Sequence, residues 1–539
     1  MVFLAVIFGV FSYIIFFAGL LGLLSTDFLI TVTVLFFATC ALKLYMQKVV
    51  LLKSTTKLTA EMKKGKILLF ASITVVLLIC INFVGTLGPE WSFDALWYHL
   101  TLPKLYLAQE QVYFIPGGLL YYSAMPKLVE MLYIPAIAFG TEIGAKGVHF
   151  LFGVFSLFAI YRLARVFVNA KYAMLSVLIF ASNLVFAWEM TTAYVDLART
   201  FYEILALYFF SRWWKTNKST DLFFSAVMIG LAITAKLLAV GTLVILLHLL
   251  TYRITLQKKQ LVVLLKRFLL FFSLSLAIPL PWLVFSYLNT GNPFFPFFTP
   301  MYEVGFSSTL LNPVNFFKEI IAVFINAADP LSPLYAIVFP LIFIYYAKLR
   351  KNGGVLLLFV LLSFVVWYFT PRTGGGRFIL PYLPAFSVLA VLIMQLLEQN
   401  KQKMLYRFFI GLVFFIAFIT ISYRSVTNIK YIPVLLGQQS KTQFLSEHLD
   451  FSYGDFYDID GYFPKNISSS NRVLLYGFHN LYYVDFPFIH ESWIKRGDWF
   501  TNIAIQGSQT LPEQFTSLKL LYENKTTHVR VYGKKKMYY

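Results

Sequence analysis

Two isolated carboxylates, Asp94 and Asp196, are where chemistry would start in this chain, because each lies beside a long apolar run. Asp94 belongs to SFDALWYHLTLPKLYL (92–107), which follows the apolar run 67–87 almost without a gap. A carboxylate at bilayer depth costs roughly 2.5–3.5 kcal/mol on insertion scales, so one placed at that boundary is a candidate functional group. The competing role is a charge at the start of a short interfacial helix, where it meets the positive end of the helix dipole. On a helix from about Ser92 to Leu102, ended near Pro103, Asp94, Trp97, Tyr98 and Thr101 would share one face. A carboxylate flanked by rings suits a sugar: rings cover the apolar face of a pyranose while the acid takes a hydroxyl proton. Trp97, Tyr98, His99, Lys104 and Tyr194 are therefore the candidate sugar- or acceptor-binding residues. For the aromatic ones the plain alternative is a belt at the membrane interface.

Asp196, in TTAYVDLARTF, sits at the end of another span on the same side as Asp94. Two acids on one face of a bundle could share a substrate or a divalent metal ion. A salt bridge to Arg199, three residues on, is the structural alternative. Arg372 and Arg377 bracket three glycines in PRTGGGRF. Forked guanidinium donors match phosphate oxygens, and glycine lets the backbone approach, so this segment reads as a phosphate cradle. Lys236 and Lys127 are weaker candidates for the same role, and headgroup snorkelling is the alternative for all four cations. The chain has no HExxH, no GxSxG and no GxGxxG followed by an acid, which leaves protease, esterase and dinucleotide chemistry without a motif.

The elements that must position these groups are membrane spans. Of 539 residues 59% are hydrophobic and only 13% charged, and mean hydropathy is +0.71, which together describe a polytopic membrane protein. We expect about thirteen crossings, near 3–24, 28–46, 67–87, 145–166, 173–189, 196–214, 221–236, 238–251, 268–288, 331–347, 355–370, 378–397 and 408–423. The pair 221–251 is short enough to be a re-entrant hairpin. Between the spans, 89–145 reads as an external loop lying along the membrane, with an apolar interfacial helix from Pro126 to Phe139. The segment 289–330, opening NTGNPFFPFFTP, reads as an external loop in which Pro and Gly prevent regular helix.

The net charge of +20 does not describe a nucleic-acid binder, because its distribution is topological. Loops 43–66, 162–171, 212–221, 253–267, 348–351 and 398–407 carry 24 Lys/Arg and three acids, and the alternate loops six basic and ten acidic residues. That is the positive-inside asymmetry, with the N-terminus inside and the Asp94, Asp196 and Arg377 loops outside. Cys40 and Cys80 both fall in expected spans, so neither a disulfide nor a paired-cysteine metal site is available outside. After Tyr423 the composition changes, and the run Arg472–Tyr476 reads as a strand. Residues 424–539 are expected to form a small external α/β domain. Residues 1–66 supply two N-terminal spans and a basic loop, and 67–423 the main membrane domain.

In order along the chain, FDALWYHLTLPKLYL (93–107), SAMPKLVEMLYIPAIAFG (123–140), AKGVHFLFG (145–153), AYVDLA (193–198), GLAITAKLLA (230–239), TGNPFFPFF (290–298) and GRFILPYLPAF (376–386) resemble a known pattern. It is that of the GT-C class of integral-membrane glycosyltransferases, and more narrowly of its bacterial family 39 and aminoarabinose-transferase types. The Asp94 and AYVDLA segments are the most specific.

The resemblance implies an all-α, GT-C-like membrane fold with a small C-terminal extracytoplasmic domain, in a bacterial cytoplasmic membrane. It also implies a glycosyltransferase whose donor is a polyprenyl-phosphate-linked sugar and whose acceptor is a lipid, glycan or protein on the outer face. Asp94 and Asp196 match the family's catalytic external acids. The protein-mannosyltransferase branch carries glutamate after the first acid; here Ala95 follows Asp94, which argues against protein mannosylation. The alternatives are a noncatalytic GT-C-like scaffold and a lipid-linked-sugar transporter, the latter expecting polar groups at mid-span rather than at the outer boundary.

Overall fold

The computed structural model describes residues 1–257, 260–300, 311–325, 330–370 and 375–539, with backbone only for 49–64, 534 and 535. Arg372 lies outside the described residues. Among the described residues eight helices are long and apolar enough to cross a membrane: Val2–Leu20, Thr26–Lys48, Lys66–Thr86, Leu128–Ala164, Leu237–Leu256, Tyr346–Phe369, Leu380–Gln399 and Lys403–Ile429. Leu261–Ala277 and Leu280–Thr290, bent by 61° at their junction, supply a ninth. Ala170–Ala181, Ser219–Ala235 and Pro333–Ile344 are shorter apolar helices, and Asp196–Thr216 is long but carries five charged residues. Each expected crossing thus has a helix, although several are shorter or more broken than a plain hydropathy reading implies. Side chains such as Val34, Phe37, Ile73, Phe158, Phe415 and Phe418 stay exposed on these helices. A belt of that kind requires lipid around it, and the chain is an integral membrane protein.

The breaks have local causes. The expected span 173–189 is interrupted at Ser182 and Asn183, whose side chains donate to the carbonyls of Leu178 (2.7 Å), Ile179 (3.1 Å) and Phe180 (2.9 Å). The Leu178 and Phe180 carbonyls also accept from the amides of Ser182 and Asn183, so the side chains reinforce a helix end that hydrocarbon would not solvate. The expected helix 126–139 is the first part of Leu128–Ala164, separated from the rest by a kink at Gly140 and Thr141. Every residue from Leu128 to Pro135 is buried, so neighbouring parts of the protein cover this apolar segment. The loop 289–330 also departs from expectation, because Pro313–Ile325 is helical.

After Tyr423 the last span continues to Ile429, and beyond it lies a five-stranded sheet. Its strands are β1 (Val473–Tyr476), β2 (Phe488–His490), β3 (Trp499–Gln506), β4 (Leu520–Asn524) and β5 (Val529–Tyr538), in the order β2-β1-β3-β5-β4. β1 runs parallel to β2 and β3, while β5 is antiparallel to β3 and β4. All four β1 residues are buried, because apolar clusters cover both faces. Val473, Leu475 and Ala504 face one cluster, and Leu474, Ile503 and Ile505 the other. A strand buried on both sides reads as an uninterrupted apolar run, which is why VLLY was legible.

Candidate functional site

Four residues from four separated segments meet at one end of the bundle. Arg377 Nη1 donates to Asp94 Oδ2 at 2.6 Å, and Lys236 Nζ donates to Asp196 Oδ1 at 2.6 Å. Asp196 opens the helix Asp196–Thr216. Lys236 occupies the extended break after Ser219–Ala235, where the chain leaves one helix and turns into the next. Arg377 follows Gly375, whose φ of +85° favours glycine. The guanidinium also lies 5.2 Å from the centre of the Tyr194 ring and 5.1 Å from that of Phe378, and the Lys236 ammonium 5.4 Å from that of Phe378. Asp94, Arg377 and Lys236 side chains keep 13%, 19% and 17% exposure, whereas Asp196 is fully buried. The accessible surface here thus belongs to Asp94 and the two cations, with Asp196 behind Lys236. Burial works against the Arg377 charge, but the Asp94 and Asp196 carboxylates outweigh it and raise its pKa above the ordinary arginine value.

Buried polar groups that sequence reasoning missed hold this arrangement. One Glu90 oxygen accepts from the amides of Trp91 (2.9 Å) and Ser92 (2.8 Å), the other from the amide of Ala193 (2.7 Å). One carboxylate thereby ties the Asp94 loop to the Asp196 turn. Lys146 Nζ donates to the carbonyls of Gly85 (3.0 Å) and Gly88 (2.7 Å), fixing where that loop leaves its span. Tyr133 donates to the Tyr194 carbonyl, and the Tyr194 hydroxyl accepts from the Asp94 amide at 3.3 Å. His149 sits 2.9 Å from the Thr192 carbonyl through Nδ1, while Nε2 accepts from the Leu197 amide at 3.1 Å. Those partners make Nδ1 the protonated nitrogen. Glu90 carried the same signal as Asp94, an acid at a bilayer boundary. Lys146 and His149 carried the signal of polar groups inside an expected span.

The remaining candidates fall into different places. Ala95–His99 forms a π-helical turn, and the α-helix Thr101–Ala108 continues through Pro103. This corrects the single helix ending near Pro103, and with it the shared face of Asp94, Trp97, Tyr98 and Thr101. Proline is tolerated there because an N-terminal turn does not need its amide. Tyr98 stacks on Tyr122 at 4.0 Å, and the Trp97 indole donates to the Leu119 carbonyl at 2.9 Å. His99 is buried 2.9 Å from Glu130, and burial pushes its pKa below the ordinary histidine value despite that carboxylate. Lys127 lies 3.7 Å from the same Glu130 and is buried, so Glu130 is its partner here. Lys104 is corrected: it donates to the Tyr482 (2.6 Å) and Val484 (2.9 Å) carbonyls and pairs with Asp485. It anchors the sheet region instead of lining the site. Arg199 pairs with Glu203 at 2.6 Å, so the suggested bridge to Asp196 is replaced by Lys236.

The family described as dolichyl-phosphate-mannose-protein mannosyltransferase matches residues 133–284. No curated protein matches the chain by sequence. The crystal structure of ArnT from Cupriavidus metallidurans bound to undecaprenyl phosphate superposes with a TM-score of 0.59 at 13% identity. The match covers 86% of this chain and 97% of that one. The same protein in its apo state gives 0.57 at 13% identity, again over 86% and 97%. The S. cerevisiae protein O-mannosyltransferase Pmt1-Pmt2 complex bound to the sugar donor gives 0.34 at 17% identity, over 43% of this chain and 35% of that one. The molecule thus has the architecture of the GT-C class of integral-membrane glycosyltransferases.

Proposed function

We propose that this protein is a glycosyltransferase that moves one sugar from a polyprenyl-phosphate-linked donor to a lipid, glycan or protein acceptor at the extracytoplasmic face. The membrane would be a bacterial cytoplasmic membrane, with the N-terminus inside. The observation that carries the reading is the convergence of Asp94–Arg377 and Asp196–Lys236 at one end of the bundle. The likeness to a structure holding undecaprenyl phosphate supports it.

In this mechanism Asp94 takes the proton of the acceptor hydroxyl, and the hydroxyl oxygen attacks the anomeric carbon. The bond from that carbon to the phosphate oxygen breaks, and the polyprenyl phosphate leaves with the electron pair. A single displacement inverts the anomeric centre. Arg377 and Lys236 neutralise the charge growing on the phosphate, an electrostatic contribution often larger than base assistance. Without donor, Arg377 is the counter-charge of Asp94. A phosphate that draws the guanidinium away frees the Asp94 carboxylate to accept from the acceptor hydroxyl. Arg372 is held as a further phosphate contact, Lys127 being committed to Glu130, and Trp97, Tyr98, His99 and Tyr194 as the polar and aromatic wall.

Asp94 and Asp196 fit a divalent ion poorly, because Arg377 and Lys236 already hold them. No group of three or more His, Cys, Asp or Glu side chains converges among the described residues.

The test is mass spectrometry of lipids that co-purify with the protein in mild detergent, comparing wild type with Arg377→Ala/Lys236→Ala. A polyprenyl phosphate is expected in the wild type and lost in the variant. If none binds even when undecaprenyl phosphate is added, the phosphate role fails and a noncatalytic scaffold is the better description.

A further inference from the structure

One histidine of the C-terminal region reaches the loop that carries Asp94. His479 stacks on Phe93, the residue before Asp94, with centroids 4.8 Å apart and planes at 26°. It also lies 4.6 Å from the Trp97 ring. Tyr453 meets Phe93 edge-on at 5.3 Å. The result is an aromatic wall beside the acid, built half from the membrane domain and half from the sheet region.

The histidine is firmly placed. The amides of His479 and Asn480 donate to the Gly454 carbonyl at 3.0 and 3.1 Å. Gly454 has φ +94°, and a Cβ there would fall 2.8 Å from the His479 Cβ. Nδ1 of His479 faces Asn480 Oδ1 at 2.9 Å, and the Asn480 amide nitrogen donates to the Asp455 carboxylate. With that nitrogen committed to Asp455, the amide oxygen must accept from the ring, so Nδ1 carries the proton and Nε2 keeps its lone pair. Burial pushes the His479 pKa below the ordinary histidine value, with Asn480 and Asp94 opposing. The ring is therefore neutral at pH 7. Among the described residues Nε2 makes no hydrogen bond.

We infer that His479, with Phe93 and Trp97, binds a carbohydrate acceptor: Nε2 accepts a hydrogen bond from a sugar hydroxyl while the rings cover the sugar's apolar face. This rests on the proposed transfer reaction for its assignment to the acceptor. A polyprenyl chain keeps the donor in the membrane, where Arg377 and Lys236 meet its phosphate. His479 belongs to a sheet region outside the spans, on the side from which a water-soluble glycan arrives. Neutral imidazole and aromatic rings suit an uncharged sugar, since they offer no fixed charge to pair with an ionic partner.

The experiment is saturation-transfer NMR on the full-length chain in phospholipid nanodiscs, free of glycoside detergent. The probes are methyl glycosides and short oligosaccharides of glucose, galactose, mannose and N-acetylglucosamine. At least one should bind the wild type, and His479→Ala should weaken it by about tenfold, the loss of one hydrogen bond with some stacking. His479→Gln, whose amide oxygen still accepts, should stay within about threefold. If no probe binds the wild type, or if His479→Ala binds it equally well, the inference is wrong. Undecaprenyl phosphate binding by the wild type is measured in the same nanodiscs. Failure there alone removes the transfer reading and leaves the carbohydrate site standing.

Discussion

Arg377 donates to Asp94 across 2.6 Å of space and 283 positions of sequence. That pairing makes the acid and the cation functionally inseparable, because whatever occupies one changes the other. Asp94→Asn should lower sugar transfer by roughly 10²–10⁴-fold, the usual range for loss of a positioned base. Arg377→Ala should cost roughly 10²–10³-fold, as for a charge that stabilises the transition state. The double variant should lose much less than the product of the two, because the residues act as one unit. Transfer rates of the four proteins, read by product mass spectrometry, decide this; independent, multiplying losses would separate the residues.

Lys236 should matter for stability as well as for chemistry. Its removal leaves the Asp196 carboxylate buried without a direct cationic partner, and breaking a buried pair in this way costs roughly 3–5 kcal/mol. Lys236→Ala should therefore lower the thermal midpoint of the detergent-solubilised protein. Asp196→Asn on that background should restore much of the loss while transfer stays abolished. Equal midpoints for Lys236→Ala and wild type would show that solvent or lipid replaces the ammonium.

Glu90 should act on geometry without touching substrate. Its two oxygens accept three amides from two segments, and Glu90→Gln turns one oxygen into a donor facing another donor. The Asp94 loop should then lose its tie to the Asp196 turn, and transfer should drop by about 10- to 100-fold through misplacement. Glu90→Asp, which keeps both acceptors on a shorter stem, should recover part of that rate. Hydrogen exchange at Trp91, Ser92 and Ala193 should rise in Glu90→Gln, and no change there would refute the role.

The sheet region should lose stability in mild acid. His490 is buried with its pKa pushed down to about 4 by burial, the Phe478 carbonyl opposing. Its unfolded value is 6.5, so as pH falls below that point the unfolded chain binds a proton that the folded chain does not. Stability is lost between about 6.5 and 4 and levels off below, by at most about 3 kcal/mol for a shift of this size. Asp455 opposes this at the acid end, because burial raises its pKa and protonation then favours the fold. Protection factors in β1 and β3, taken relative to the intrinsic exchange rate at each pH, should fall from pH 7 to 5, and His490→Asn should flatten that dependence if it folds.

The sequence alone determined that the chain is a helical membrane protein with a separate C-terminal α/β region, and which ends of its spans carry Asp94, Asp196, Arg377 and Lys236. Those conclusions rest on local quantities, apolar length and charge at a bilayer boundary, which need no knowledge of the fold. Only tertiary structure decided the partners. Asp196 takes Lys236, 40 positions on, rather than nearby Arg199, because the break between two helices brings the ammonium to the start of a third. Lys104, three residues past Thr101, leaves the site because the π-helical turn Ala95–His99 shifts the phase of the helix Thr101–Ala108. His479 carried no signal of any kind, since a histidine in a soluble segment acquires its role from the sheet that lays it on Phe93. Pairing across hundreds of residues depends on packing that no local pattern encodes.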